Sequence, residues 1–235
     1  MNFVSENCNV CGNCFLICPA GAIKYAEEQA VVDWEQCVEC HNCVRAGVCP
    51  NDVFELSTPP WPRTLRATFS DPFFKHESTQ HLGRGTEEVK TNEVTGVVTA
   101  GRVGLAVEAG RPGVAASFGE VEIITKTLAR FAVEYPEKTP IRSLIKDLQS
   151  GALHPEILGE RVLSVIVECR LPVERLDAVL QALRAATAQV KTTVFSVGVF
   201  ARAGELTAIL SSAEGYRISA VAKNNLGLGR RCQGE

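Results

Sequence analysis

Beyond residue 97 the alternation of apolar and polar positions is regular. Residues 97–100 and 103–108 are rich in valine and read as strands. Ser117, followed three residues later by Glu120, is a capping-box signature. It opens a predicted helix to about residue 133, whose apolar positions Val121, Ile124, Leu128 and Phe131 share one face. Thr139 and Pro140 start a second helix, with Ile141, Leu144, Ile145 and Leu148 facing inward and Gly151 as its stop. Leu163, Val165, Val167 and Cys169 alternate on a strand, and Pro172 then starts a helix carrying Val173, Leu176, Val179, Leu180 and Leu183. Residues 193–200, 206–210 and 218–222 read as three further strands. This order predicts an α+β sandwich: a mostly antiparallel sheet with helices on one face.

Before residue 60 the apolar stretches are shorter. Residues 22–33 predict a hairpin turning around Glu27, Glu28 and Gln29. Residues 53–56 read as a strand that can pair with residues 2–4, and an apolar strand follows a Cys-Pro pair twice, as in an internal repeat. Pro59, Pro60 and Pro62 exclude a regular helix or a central strand over residues 57–63, and residues 75–96 are polar. A connection of this length is a binding segment or a linker. If it wraps over another surface, Trp61, Phe69, Phe73 and Phe74 are its anchors. The expected organisation is therefore a cysteine-rich domain over 1–58, an extended linker or wrapping segment over 59–96, and an α+β docking or substrate domain over 97–235.

Composition adds little to the fold and more to the choice of partner. The chain has 235 residues, 46% hydrophobic and 22% charged, enough for a sizeable core. Its longest apolar runs, such as residues 162–167, are too short to span a bilayer. The first residues lack a basic region followed by an apolar one, so no signal peptide and no membrane span are expected, and a cytoplasmic location is the default. The net charge of −3 is uneven. Residues 1–60 hold eight acidic and two basic side chains, the remainder 19 acidic and 22 basic. An acidic first domain argues against nucleic acid and for a protein partner with a basic docking surface.

Eight of the ten cysteines lie between residues 8 and 49. One run is Cys8, Cys11, Cys14, Cys18 and Pro19; the other is Cys37, Cys40, Cys43, Cys49 and Pro50. Disulfides would suit a small secreted chain, and zinc shares the C-x₂-C spacing. Triplets of thiolates two residues apart, closed by Cys-Pro, suit cubane clusters better: each triplet wraps one face, with backbone N–H groups aimed at the sulfurs. His41 sits between two of these cysteines and reads as an exposed side chain near the metal rather than a ligand. Cys169 reads as a packing residue in an apolar strand. Cys232 has no recognisable partner.

The first run matches C-x₂-C-x₂-C-x₃-C-P residue for residue, and the chain here resembles the bacterial two-cluster ferredoxins. The resemblance implies two 4Fe–4S clusters with crossed fourth ligands: Cys8, Cys11, Cys14 and Cys49 on one, and Cys37, Cys40, Cys43 and Cys18 on the other. It also implies single-electron transfer to a redox protein partner, a flavin- or metal-containing oxidoreductase subunit. The second run departs from the pattern, with five residues between Cys43 and Cys49 where three are expected, which predicts a bulge around Gly47. Residues 91–96 and 101–113 resemble the iron–sulfur portion of 6-hydroxynicotinate reductase-like proteins, which implies a reductive step on a heteroaromatic substrate as the alternative, with a flavin elsewhere. No nucleophile elbow, phosphate loop or dinucleotide fingerprint is present. Arg111 and Gly113 precede a predicted helix N-terminus, where anions bind; a simple turn is the competing reading. Arg102, Glu108 and Arg111 read as a solvated face, and His76, His81 and His154 as isolated. A ligand-binding redox sensor is the third possibility.

Overall fold

The computed structural model describes residues 1–83 and 98–201, apart from Glu27, Ser78 and Pro112. The expected strands at 206–210 and 218–222, together with Cys232 and residues 91–97, lie outside the described residues.

The first part of the chain is built from two short antiparallel pairs. Strand β1 (Asn2–Phe3) pairs with β4 (Phe54–Glu55), Phe3 opposite Phe54, and their rings stack 5.1 Å apart. Strands β2 (Ile23–Ala26) and β3 (Gln29–Val32) form the hairpin that the sequence predicts. Two short helices, α1 (Asn13–Ile17) and α2 (Asn42–Arg45), each carry the third cysteine of a triplet.

The connecting segment contains a helix, α3 (Thr64–Ser70). It begins just past the prolines, and its first amides find carbonyls in the proline turn: Thr64 N–H donates to Pro60 O at 3.0 Å and Leu65 N–H to Pro62 O at 3.0 Å. Leu65 and Phe69, four residues apart, enter the large core, where Phe69 meets Phe118 edge-on at 5.6 Å. Of the four expected anchors Phe69 holds, whereas Trp61 and Phe73 are exposed.

The large core lies under a three-stranded antiparallel sheet. Strand β5 (Arg102–Ala109) is central, flanked by β10 (Val165–Pro172) and β11 (Phe195–Phe200), while β6 (Ala116–Ser117) and β9 (Arg161–Val162) form a separate short antiparallel pair. Val103, Leu105, Val107 and Ala109 alternate toward one face, matched by Val165, Val167, Cys169 and Leu171 across the ladder. On that face pack helices α4 (Phe118–Ala129) and α6 (Leu176–Ala186), through Val121, Ile124 and Leu128 and through Val179 and Leu183. Each fully buried side chain of this kind contributes about 1.5–3 kcal/mol. The α+β architecture with an antiparallel sheet is as expected. Cys169 is fully buried, and its burial, reinforced by the Glu168 charge, pushes the thiol up to about 12.

Three local expectations are corrected. Residues 98–100 are loop and turn rather than strand. The second helix, α5 (Pro140–Leu144), stops short, and the chain continues as the hairpin β7 (Ile145–Asp147) and β8 (Ala152–Leu153). The Asp147 carboxylate accepts from Gln149 N–H at 3.0 Å and Ser150 Oγ at 2.6 Å, turn chemistry that outweighs the helical period, and Leu148 is left exposed. Gly151, taken for a helix stop, turns this hairpin instead. Its φ is +75°, and a Cβ there would stand 2.3 Å from the Thr125 carbonyl oxygen.

The capping box is the third correction. Ser117 stands at the N-cap of α4, but its side chain caps nothing, and its own N–H is already donated to Thr193 Oγ1 at 3.2 Å. Glu120 therefore turns away. It accepts from the N–H groups of Lys191, Thr192 and Thr193 at 2.6, 2.9 and 2.7 Å and from Thr192 Oγ1 at 2.7 Å, pinning the approach to β11. Among the described residues no helix is long and apolar enough to cross a membrane.

Candidate metal centre

The two cysteine loops have the same backbone. In the first, Val10 and Gly12 have φ of 56° and 81°; in the second, Glu39 and His41, at the same two offsets from the leading cysteine, have 54° and 57°. After the Cys-Pro pairs, Gly21 (61°) and Asp52 (48°) again coincide. Non-glycine residues with positive φ carry roughly 1–2 kcal/mol of strain each. That strain recurs here at matched positions, where the chain must curl its amides inward around a common centre. Two such amides reach sulfur: Val10 N–H donates to Cys8 Sγ at 3.4 Å and Ala22 N–H to Cys18 Sγ at 3.2 Å.

A second pair of matched contacts ties the halves crosswise. Asn13, on α1 beside Cys14, donates its amide to Val48 O at 3.2 Å, just before Cys49. Asn42, on α2 beside Cys43, donates to Ile17 O at 2.7 Å, just before Cys18. Each triplet thus holds in place the chain that carries the fourth cysteine of the other run. The two-residue insertion is absorbed as expected in a local turn. Gly47 takes φ +58° in open space, and Val48 still meets Asn13.

The thiols fall into two groups. Burial raises the Cys14 thiol, and the neighbouring charges of Cys8, Cys11 and Cys49 raise it further. Burial likewise pushes Cys40 up to about 11 and Cys43 up to about 12, each raised further by Cys37 and Cys18. Cys18, Cys37, Cys40 and Cys43 line one pocket of about 350 Å³, counting the space at its mouth, whose remaining wall is largely apolar. Among the described residues no three His, Cys, Asp or Glu side chains form a ready-made site for a single metal ion. Two sets of four thiols, each curled around a common centre with amides turned inward, nevertheless fit a sulfur-ligated cluster. Coordination deprotonates such thiols outright, whatever burial does to the free group.

The surroundings of the two groups differ. Where the first loop carries Val10 and Gly12, the second carries Glu39 and His41, 1% and 6% exposed. His41, expected at the surface, is covered by residues 63–71. Its Nδ1 lies 2.7 Å from Asp71 Oδ2, which also accepts from Arg45 NH2 at 2.6 Å. Glu39 accepts from Arg63 Nε at 2.8 Å and from the Met1 amino group at 2.7 Å. Arg66 donates to the carbonyls of Trp34, Glu35 and Cys37 and pairs with Glu160. Reading the chain for motifs missed Glu39, Arg45, Arg63, Arg66, Asp71 and Glu160. Aligning the two loops would have flagged Glu39 and His41 as polar replacements of Val10 and Gly12, though not the groups that meet them.

The other candidates disperse. Arg111 and Gly113 stand before α4, but the first amides of that helix are occupied: Phe118 N–H donates to Glu160 O and Gly119 N–H to Leu158 O, both at 3.0 Å. Gly113 N–H is likewise taken, donating to Pro19 O. Arg102 pairs with Glu134, which also accepts from Arg170 Nε at 2.8 Å. His76 is a core residue edge-on to Phe69, its pKa lowered by burial, and His154 is half-buried beside Glu156.

Comparison with known proteins agrees with the loop geometry. The 4Fe-4S dicluster domain family matches residues 1–55. A ferredoxin-like protein in the vnf region of Azotobacter vinelandii is 35% identical over 51 residues, which is 20% of this chain and 75% of that relative. No solved structure matches the chain. Through its first 55 residues the chain belongs to the ferredoxin-like proteins with a 4Fe-4S dicluster domain.

Proposed function

We propose that this chain is an iron–sulfur electron-transfer protein or subunit that passes single electrons through two 4Fe–4S clusters to a partner oxidoreductase. Cys8, Cys11, Cys14 and Cys49 hold one cluster; Cys37, Cys40, Cys43 and Cys18 hold the other. The observation that carries this reading is the matched pair of loops, alike in positive-φ positions and in the crossed Asn13 and Asn42 contacts. Each cluster supplies reversible one-electron uptake. The protein's own part is to hold the thiolates, turn amides toward their sulfurs and keep one set away from water.

In this reading residues 1–58 form the two-cluster domain, 59–96 connect it, with Arg63, Arg66 and Asp71 supplying a wall, and 97–235 form a docking domain. Two clusters add negative charge to an already acidic domain, which favours a partner with a basic surface and association that weakens with salt. A flavin, where the pathway needs one, belongs to that partner.

The test is iron and sulfide analysis with EPR of anaerobically purified protein, wild type and Cys14→Ala. The variant should lose half the iron and one of two cluster signals. Unchanged iron in Cys14→Ala rules out the ligand assignment. Zinc in place of iron rules out the function.

A further inference from the structure

Arg66 lies beyond the residues that match the dicluster family, so that kinship does not account for it. It is 3% exposed. A buried guanidinium is tolerated only when its donors and charge are met. Here NH1 reaches three carbonyls, Trp34 O at 2.9 Å, Glu35 O at 3.1 Å and Cys37 O at 2.7 Å, while Nε faces Glu160. All three carbonyls belong to the chain leading into and through Cys37. Arg63, one turn earlier on the same side of the helix, grips Trp34 O at 3.0 Å and the Glu39 carboxylate.

The first loop has no counterpart. Among the described residues its side-chain contacts are the amides of Asn9, Asn13 and Asn51, and no arginine or lysine is hydrogen-bonded to it. Two loops with one backbone therefore sit in different electrostatic surroundings.

We propose that Arg66 is a positioning and potential-setting residue for the Cys18, Cys37, Cys40 and Cys43 site alone, making it the more readily reduced of the two. This rests on the two-cluster reading above. Arg66 fixes the loop and keeps a positive charge beside it, away from water. One electron taken from a reduced redox protein adds one negative charge at the site and breaks no bond; a fixed cation in a poorly screened setting favours that product. Glu160 opposes the effect, but it binds the Nε edge while NH1 faces the cysteine loop, so the positive end of the pair points at Cys37. The Glu39 and Asp71 carboxylates oppose it too, but each is met by a cation of its own: Glu39 by Arg63 Nε and the Met1 amino group, Asp71 by Arg45 NH2.

The experiment is an EPR-monitored redox titration of the full-length, cluster-loaded protein: wild type, Arg66→Gln, Arg66→Lys and Glu160→Gln. A Cys14→Ala background assigns each signal to its site. Arg66→Gln should lower the midpoint of the Cys37 site, Glu160→Gln should raise the same midpoint, and the other signal should keep its wild-type value. Arg66→Lys keeps the charge and should stay close to wild type. Both neutralising variants break the same ion pair, so a purely structural role would move the potential the same way in each. That result, equal movement of both signals, or no movement, overturns the proposal. If Arg66→Gln does not retain its iron, Glu160→Gln and Arg66→Lys decide by the same signs. A wild type with a single cluster signal overturns the two-cluster reading itself, and this inference with it.

Discussion

Replacing Asp71 by asparagine tests whether the residues beyond the cysteine domain hold the second loop in place. The Asp71 carboxylate is 3% exposed as a residue and accepts from His41 Nδ1 at 2.7 Å, Arg45 NH2 at 2.6 Å and Phe73 N–H at 2.9 Å. Burial alone would raise its pKa, but the bonds from Arg45, Phe73 and His41 outweigh burial and hold it below the usual carboxylate range. Asparagine can keep the Phe73 bond through its own carbonyl, yet it loses the charge and turns an NH₂ toward two donors. Hydrogen bonds to a charged group are worth about 1.5–3 kcal/mol each. The Arg45 bond is discounted because that side chain is 30% exposed and can turn to water. The net loss is about 3 kcal/mol, which for a chain of this size lowers Tm by roughly 6–12 °C. Calorimetry of the anaerobic protein reads this directly. The sign with pH follows from the lowered pKa: the stabilisation is present above the unfolded value and fades as pH falls through the folded one. The gap between wild type and variant should therefore stay flat from about pH 8 to about pH 5. A variant melting within about 1 °C of wild type would refute the clamp.

Two further outcomes follow from the second part of the chain. Glu120 is held down to about 2, because although burial would raise it, bonds from Thr193, Thr192 and Lys191 outweigh burial. Glu120→Gln should cost about 2 kcal/mol, discounted for its partial exposure, and hydrogen exchange at residues 191–193 should accelerate; unchanged exchange there would show that the turn is held by other contacts. Gly151→Ala must place a Cβ against the Thr125 backbone at a φ of +75°, so a loss of about 3 kcal/mol is expected in denaturant melts. A neutral result would mean the hairpin turn can shift off α4.

The parts of the fold legible in the sequence are those where one local signal decides. Val103 to Ala109 and Val165 to Leu171 alternate without interruption, and the structure makes them the sheet. Ile145 satisfied a helical and a strand pattern at once, and only the acceptor chemistry of Asp147 resolved it in favour of a hairpin. The capping box failed for a long-range reason, since Thr193, 76 residues away, had already taken the Ser117 N–H. The candidate centre shows the same division. Cysteine spacing announced both loops because their geometry is encoded within a dozen residues. The wall around the second is made of arginines and carboxylates ordinary in type, and only the fold gives them partners; His41 looked exposed because nothing near it in sequence covers it.

The pairing of Arg66 with Glu160 spans 94 residues and sets an order of events in the making of the protein. All eight cysteines of the two runs have been synthesised by residue 49, yet the carboxylate that lets Arg66 stay buried comes more than a hundred residues later. For the stretch between Arg66 and Glu160, synthesis at about 5–20 residues per second makes this a gap of roughly 5–20 s. Throughout that gap the Cys37 loop is complete in sequence but uncovered on the side Arg66 will close. Metal delivered to a nascent chain finds an open door there, and so does oxygen.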